Sequence, residues 1–284
     1  MSTLTLAEVP RLAQVDRRTF RADYLSPRRP VVLERLAADW PAVHRWTPEY
    51  LAARFGERPV RVYDASFAAP GRFYMSSLRS LPFARFLSGI LTERRDLRMF
   101  LHNIAREMPE LVEDIRFPDL ADGFSQRFVF TFFGCQGSVT PIHYDIDMGH
   151  VFHTALFGRR RVILFPQAES ARLYRHPFTV RSYIDAARPD FERFPHLRGA
   201  RGWSVTLSPG ETLFIPSGFW HQVIYEEAGY AISLRCPSER LLPRLQGMLN
   251  LLLISPLDRA LNLLLDKRWY AWKERAAWRR AEQT

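Results

Sequence analysis

Three side chains that commonly bind metals occur in two short segments of this chain. The segment 139–153, VTPIHYDIDMGHVFH, contains His143 and Asp145 two positions apart. Side chains in an extended strand alternate between its two faces, so these two ligands point the same way. His221 begins another strand-like run directly after SPGETLFIPSGFW, whose Pro-Gly turn would return the chain to the same place. Two imidazoles and one carboxylate on one side of a metal leave the opposite positions open, an arrangement suited to Fe(II) and O2 chemistry.

The segments around these ligands have the pattern of short strands. They are rich in β-branched and aromatic residues, and turn residues such as Gly158 and Ser208-Pro209-Gly210 separate them. Many short strands in series, without long helices between them, predict an antiparallel sandwich or barrel. The predicted strands are 127–134, 150–157, 160–165, 203–207, 211–215, 221–225 and 230–235.

The remaining segments differ from this strand-rich core. Residues 1–125 have a mixed α/β pattern, with helices predicted at 47–56, which starts at a threonine and stops at a glycine, and at 77–91, with its start at Ser80. The polar stretch 166–200 predicts a long loop with a short helix. We therefore expect one domain over residues 1–236, with its core at about 126–236, followed by a helical extension, 237–284.

The C-terminal extension carries an apolar stripe that needs a partner surface. The stripe consists of Leu257, Leu261, Leu264, Leu265, Trp269 and Trp272. It would pack either on the body of the domain or in a homodimer contact. The apolar run 249–265 is broken by a proline and charged residues, so we do not expect it to span a membrane.

The composition favours a soluble globular protein. The chain has 284 residues, of which 47% are hydrophobic, enough for one substantial core. The net charge of +10 comes almost wholly from scattered arginines, because Lys267 and Lys273 are the only lysines, and this scatter makes a nucleic-acid partner unlikely. Cys135 and Cys236 form no metal or redox spacing, and no signal-peptide pattern begins the chain; both features predict a cytoplasmic protein.

Four motifs together resemble a known enzyme family. They are TPIHYD (140–145), GRRRVILFP (158–166), PGETLFIPSGFWH (209–221) and GYAISLR (229–235), and weaker similarity extends upstream to residues 19–42. They resemble the JmjC or cupin-like Fe(II)/2-oxoglutarate oxygenases, in particular the branch containing the asparaginyl hydroxylase that acts on hypoxia-inducible factor. The resemblance implies a double-stranded β-helix, that is, a cupin-like jelly roll, with Fe(II) as cofactor and 2-oxoglutarate as co-substrate.

The resemblance also assigns roles to individual residues. It makes His143, Asp145 and His221 the iron ligands, and Thr140 a contact of 2-oxoglutarate. The family lysine that pairs with the distal carboxylate of 2-oxoglutarate falls on Arg160, whose guanidinium can clamp a carboxylate with two hydrogen bonds.

Two positions depart from the family pattern. A family tyrosine that also touches the distal carboxylate aligns with Phe100, which has no hydroxyl, and the neighbouring His102 is a candidate substitute. A family asparagine near the metal aligns with Arg235, which would be either a second cation for 2-oxoglutarate or an acidic substrate, or a structural ion pair.

The expected activity is that of a hydroxylase. Its substrate would be a protein side chain, a modified nucleic-acid base or a small metabolite. The alternative is a metal-binding cupin without oxygenase activity, either an isomerase or a ligand-binding protein. His150 and His153 lie three apart and face opposite sides of a strand, so they cannot both bind one ion; one of them is a candidate for facing the substrate.

Overall fold

The computed structural model describes residues 4–68 and 78–284. Its strands are short, and most of them lie after residue 129. In chain order they are β1 (Ala7–Glu8), β2 (Arg11–Leu12), β3 (Val31–Leu33), β4 (Pro59–Val62), β5 (Arg79–Pro82), β6 (Arg98–Asn103), β7 (Phe130–Gly134), β8 (Val139–His143), β9 (His150–Phe157), β10 (Arg160–Phe165), β11 (Trp203–Leu207), β12 (Thr212–Ile215), β13 (Trp220–Tyr225) and β14 (Gly229–Cys236).

The helices lie before β7 and after β14. They are α1 (Arg17–Phe20), α2 (Pro41–Arg45), α3 (Pro48–Phe55), α4 (Phe83–Leu91), α5 (Ile104–Glu107), α6 (Leu241–Leu249) and α7 (Ser255–Ala281). Two π-helical turns occur at Arg21–Leu25 and Asn250–Ile254, and short 3-10 turns occur at Ala65–Ala68, Pro109–Asp114, Gln167–Ser170 and Pro195–Gly199.

Two sheets face each other and enclose an interior. One has the strand order β1-β11-β10-β13-β8, and the other the order β2-β3-β12-β9-β14-β7-β6. Val162 and Val223 from the first sheet and Val151 and Leu213 from the second meet in one buried apolar cluster between them. This arrangement confirms the expected mainly β jelly roll with N-terminal α/β elements and a C-terminal helical segment.

The N-terminal helices cover the outer face of the larger sheet. Phe20 of α1 packs on Phe152 of β9 and Phe214 of β12, with ring centroids 5.7 Å and 5.0 Å apart. All three side chains are fully buried. Because β9 is covered on both faces, its sequence is an almost continuous apolar run rather than an alternating one.

One predicted helix start was wrong and another helix was confirmed. Residues Arg79–Pro82 form β5, which pairs with β4, and the helix begins only at Phe83. Pro82 explains the difference, because a residue that precedes proline is pushed out of the helical region into extended backbone. The helix predicted at 47–56 is α3, and the Thr47 hydroxyl caps it by accepting from the Tyr50 amide at 3.2 Å.

The insert between β10 and β11 lies along the edge of β8. The Tyr144 amide donates to the Val180 carbonyl at 3.1 Å, and Arg181 forms a β-bridge with His143. The predicted short helix of this insert is present only as two 3-10 turns. The insert therefore borders the strand that carries the first predicted metal ligand.

The C-terminal extension is a helical hairpin. The chain reverses at Asp266, whose φ of 41° and ψ of −120° interrupt α7. Across the reversal, the Asp258 carboxylate accepts from Trp269 Nε1 and from Lys273 Nζ, both at 2.7 Å. The second limb packs on the body through the buried residues Ala277 and Ala281.

The first limb of this hairpin is exposed and apolar. By length and composition alone, the helical stretch Leu241–Ala281 could cross a membrane, and only 6% of its most apolar window is buried. The absence of a membrane span therefore stays a prediction from the sequence.

Candidate metal centre

Antiparallel pairing of β8 with β13 brings the two histidines together. His143 and His221 are direct partners in the register, and their ring centroids lie 4.3 Å apart. Asp145 follows β8 by two residues. One ligand atom from each of His143, Asp145 and His221 lies within 4.8 Å of the others. The three side chains form a group of the size and chemistry that holds one divalent metal ion.

Backbone carbonyls orient both imidazoles for metal binding. His143 Nδ1 lies 2.8 Å from the Pro141 carbonyl oxygen, and His221 Nδ1 lies 3.1 Å from that of Phe219. A neutral ring that donates through Nδ1 presents Nε2 as its free lone pair. Burial, with a further contribution from His221, lowers the pKa of His143 to about 3, so this ring is neutral at physiological pH.

Arg235 holds the third ligand. Its guanidinium donates to Asp145 Oδ1 at 2.6 Å and to both carboxylate oxygens of Asp147 at 3.1 Å. Burial opposes ionisation of Asp145, but Arg235 and the two imidazoles outweigh it and hold the pKa of this carboxyl below its ordinary value. Of the two readings of Arg235, the structure shows the ion pair; its role toward 2-oxoglutarate stays a prediction.

A second group of polar side chains lies deeper between the sheets. His153 Nδ1 is 2.8 Å from Ser233 Oγ, while His153 Nε2 is buried and has no hydrogen-bond partner among the described residues. Burial lowers the pKa of His153 well below its ordinary value, and Arg160 and His221 both contribute. His153 thus lies within electrostatic range of both the metal ligands and Arg160.

Arg160 is a fully buried cation without a carboxylate partner in the described parts of the chain. One guanidinium nitrogen donates to the Phe157 carbonyl at 3.2 Å, and the group lies 4.9 Å from the centre of the Tyr225 ring. Its Nε and Nη1 have no hydrogen-bond partner among the residues described. A buried charge in this state is expected to bind an anion.

The pairing of β13 with β10 and with β8 shows how far Arg160 and Thr140 lie from the metal ligands along the strands. On β13, Tyr225 pairs with Arg160 and His221 pairs with Leu164, so the two levels are four residues, or about 13 Å, apart along the strand. Thr140 pairs with Val223, between these levels. Arg160 and the metal ligand His221 thus lie at two different levels of neighbouring strands, with Thr140 between them.

The structure does not bring His102 to this group. Burial lowers the pKa of His102 to about 4, and the charged residues that act on it are Glu107 and Arg106 beyond the end of β6. Phe100 instead packs with Tyr63 and Phe67 in a separate aromatic cluster. The proposed substitution of His102 for the family tyrosine therefore gains no support from the geometry.

Two charged residues at the mouth of the site had no role assigned from the sequence. Asp147 could share a face with Asp145, but Gly149 indicates a bulge that leaves its direction unreadable; in the structure Asp147 shares Arg235 with Asp145, and the left-handed Met148 follows it. Arg181 lies on the insert beside His143 and contributes to lowering the pKa of that histidine. No spacing rule links residue 181 to 143; only the pairing of the insert with β8 does.

His150 and His153 face opposite sides of β9, as the alternation predicts. His153 points between the sheets, whereas His150 Nδ1 accepts from the Ser217 amide at 3.0 Å and its ring stacks on Phe214. His150 is therefore a packed core residue, and His153 is the member of the pair that faces the interior.

Comparison with known proteins agrees with this geometry. A family model described as a cupin-like domain matches residues 17–236. Similar proteins include lysine-specific demethylase 8 of Xenopus tropicalis, 29% identical over 79% of this chain and 52% of that protein. Jumonji C domain-containing protein 5 of Drosophila melanogaster is 26% identical, over 80% and 59%. The tRNA wybutosine-synthesizing protein 5 of Gallus gallus is 28% identical, over 80% and 76%. The chain spans about half the length of the demethylase it matches.

Replacing one metal ligand should remove metal binding without unfolding the protein. Because each ligand supplies one of only three protein bonds, we expect H143A, D145A and H221A each to weaken Co(II) binding by more than about 100-fold, beyond the effect typical of residues that only orient ligands. Isothermal titration calorimetry measures the affinity, and H44A, which alters an exposed histidine, is the matched control. Equal Co(II) affinity in D145A and H44A would exclude this site.

Proposed function

Because this chain belongs to the cupin-like domain family, we propose that it is an oxygenase that depends on Fe(II) and 2-oxoglutarate. The observation that carries the proposal is that ligand atoms of His143, Asp145 and His221 lie within 4.8 Å of one another. The same interior contains the buried Arg160, which has no anionic partner among the described residues. Relatives named as demethylases and as a jumonji C domain-containing protein support an oxygenase-like enzyme. The finer assignment to the asparaginyl hydroxylase branch rests on the sequence motifs alone.

The three ligands would hold the metal from one side. When bound, Fe(II) and 2-oxoglutarate activate O2 and couple decarboxylation of the co-substrate to oxidation of a substrate C–H bond. The protein's part is to fix the ligands: the Pro141 and Phe219 carbonyls set the two imidazoles, and Arg235 sets the Asp145 carboxylate. Outer contacts of this kind determine both metal geometry and affinity.

Arg160 would bind the distal carboxylate of 2-oxoglutarate. Its two unpartnered nitrogens, Nε and Nη1, leave N–H donors available to the oxygens of a carboxylate. Thr140, which pairs with Val223 one level nearer the metal, would add a hydroxyl donor. The binding of this anion would satisfy the buried charge.

Apolar side chains surround this polar path. Val162, Leu164 and Val223 line the interior from the smaller sheet, and Val151 and Leu213 line it from the larger one. These walls exclude water, which strengthens the arginine–carboxylate interaction and protects a reactive centre from side reactions.

The reaction that we propose is hydroxylation of a protein side chain, a modified nucleic-acid base or a small metabolite. The mouth of the site carries Arg181 and the Arg235–Asp147 pair, so a substrate with polar groups is favoured. The names of similar proteins refer to lysine demethylation and to tRNA wybutosine synthesis, which keeps more than one substrate class in this proposal. We propose a cytoplasmic location, since Cys135 and Cys236 are both unpaired and buried.

A metal-binding cupin without oxygenase activity is the competing function. The departures at Phe100 and Arg160 favour it, because each changes a group that the family uses on the distal carboxylate. Co-substrate turnover separates the two functions. If the protein is an oxygenase, it forms succinate from 2-oxoglutarate in the presence of Fe(II) and O2, and the D145A variant does not. If the protein binds Co(II) but forms no succinate, even with candidate substrates present, it is a metal-binding cupin without oxygenase activity.

Removing the Arg160 guanidinium should weaken 2-oxoglutarate binding. We expect R160M to raise the dissociation constant of the Mn(II)-loaded protein for 2-oxoglutarate by about 10- to 100-fold or more, because a charge-assisted hydrogen bond contributes about 1.5–3 kcal/mol. R160K should have an intermediate dissociation constant for 2-oxoglutarate, since lysine keeps the positive charge but cannot donate the paired hydrogen bonds of a guanidinium. The matched control is R159M, in which the neighbouring exposed arginine is replaced. If calorimetry gives R160M and R159M the same dissociation constant for 2-oxoglutarate, Arg160 does not bind its distal carboxylate.

A further inference from the structure

Helix α6 is in direct contact with the loop that carries the metal-binding carboxylate. A Cβ atom built on Gly247 would lie 2.2 Å from the Asp147 carbonyl oxygen and 2.7 Å from its carbonyl carbon. Both are backbone atoms, which cannot move aside as a flexible side chain can. Only glycine permits this approach, so the helix backbone lies against the backbone of the segment between β8 and β9.

Asn250 adds a hydrogen bond to the same loop. Its side chain is buried, and Nδ2 donates to the Ile146 carbonyl oxygen at 3.2 Å. It is the one polar side chain within the apolar run Met248–Ile254, and the π-helical turn Asn250–Ile254 begins at it. Such turns place an extra residue within a helix and are frequent at functional sites.

The loop is thus held from two sides. From the body of the domain, the Ser217 hydroxyl donates to the Met148 carbonyl at 2.5 Å. From the C-terminal hairpin, Asn250 donates to the Ile146 carbonyl, on the other side of Asp147. Asp145 lies immediately before this clamped segment, and its carboxylate is joined to that of Asp147 through Arg235.

We propose that Gly247 and Asn250 are positioning residues for the metal centre: through them the C-terminal helix fixes the loop and so the direction of the Asp145 carboxylate. The inference rests on the proposed metal site. It makes the affinity and geometry of the bound metal depend on a helix whose own side chains do not touch the metal ligands directly. The C-terminal hairpin is then part of the site and not only an appended segment.

Co(II) binding and the visible absorption spectrum of bound Co(II) test this role. We expect N250L, which removes the amide at similar volume, to weaken Co(II) binding about tenfold and to alter the spectrum, as loss of an outer contact does elsewhere. G247A should act in the same direction because the added methyl displaces the loop. The matched control, Q246L, removes an amide from the same helix away from the loop and should leave both measurements unchanged.

The outcomes are distinguishable. Wild-type protein that binds no Co(II) contradicts the metal site itself. Wild-type binding with N250L and G247A both unchanged in affinity and spectrum, even if the variants are less stable to urea, contradicts the positioning role alone. If N250L does not fold, N250S, which keeps a shorter donor, replaces it and should give a smaller loss than G247A.

Discussion

The antiparallel pairing of β8 with β13 is the constraint on which the site depends. It places His143 opposite His221, although 78 positions separate them in the chain, and it brings Thr140 beside Val223 toward the interior. The break in register lies between the metal ligand His221 and Val223, the residue that pairs with Thr140. Bulges of this kind re-aim side chains next to active sites. The Asp145 carboxylate then needs only the short loop after β8, which Arg235, Ser217 and Asn250 hold in place.

Two buried arginines in the interior differ in whether they have an anionic partner. Arg235 is buried but satisfied by two carboxylates, whereas Arg160 is buried and has no carboxylate partner in the described chain. An unpaired buried cation destabilises the fold unless a ligand neutralises it. The contrast is consistent with the two roles that we propose, in which Arg235 orients a metal ligand and Arg160 binds an anion. Burial and both arginines lower the pKa of His153, so this ring lies within electrostatic range of each.

The sequence could predict those parts of the fold and site that follow from local periodicity. Alternation in 139–145 and the Pro-Gly turn before β12 were sufficient to group His143, Asp145 and His221, and the apolar runs located β9 and β10. Features set by long-range contacts could not be predicted. The Arg235–Asp145 pair depends on how β14 aligns beside β9, and the direction of His102 depends on a register shift of β6 at the left-handed Leu101. Gly247 did offer a signal, since a glycine inside an apolar helix often marks a close approach, but its partner could not be named. The domain boundaries at 125 and 236 stay predictions.

The most direct test of the central claim is a crystal structure of the protein grown without O2 in the presence of Fe(II) and 2-oxoglutarate, with data collected on both sides of the iron absorption edge. We expect one anomalous peak bonded to His143 Nε2, His221 Nε2 and a carboxylate oxygen of Asp145, with the distal carboxylate of the dicarboxylic acid against the Arg160 guanidinium. An iron bound elsewhere, or an ordered co-substrate whose far carboxylate lies away from Arg160, would contradict this claim.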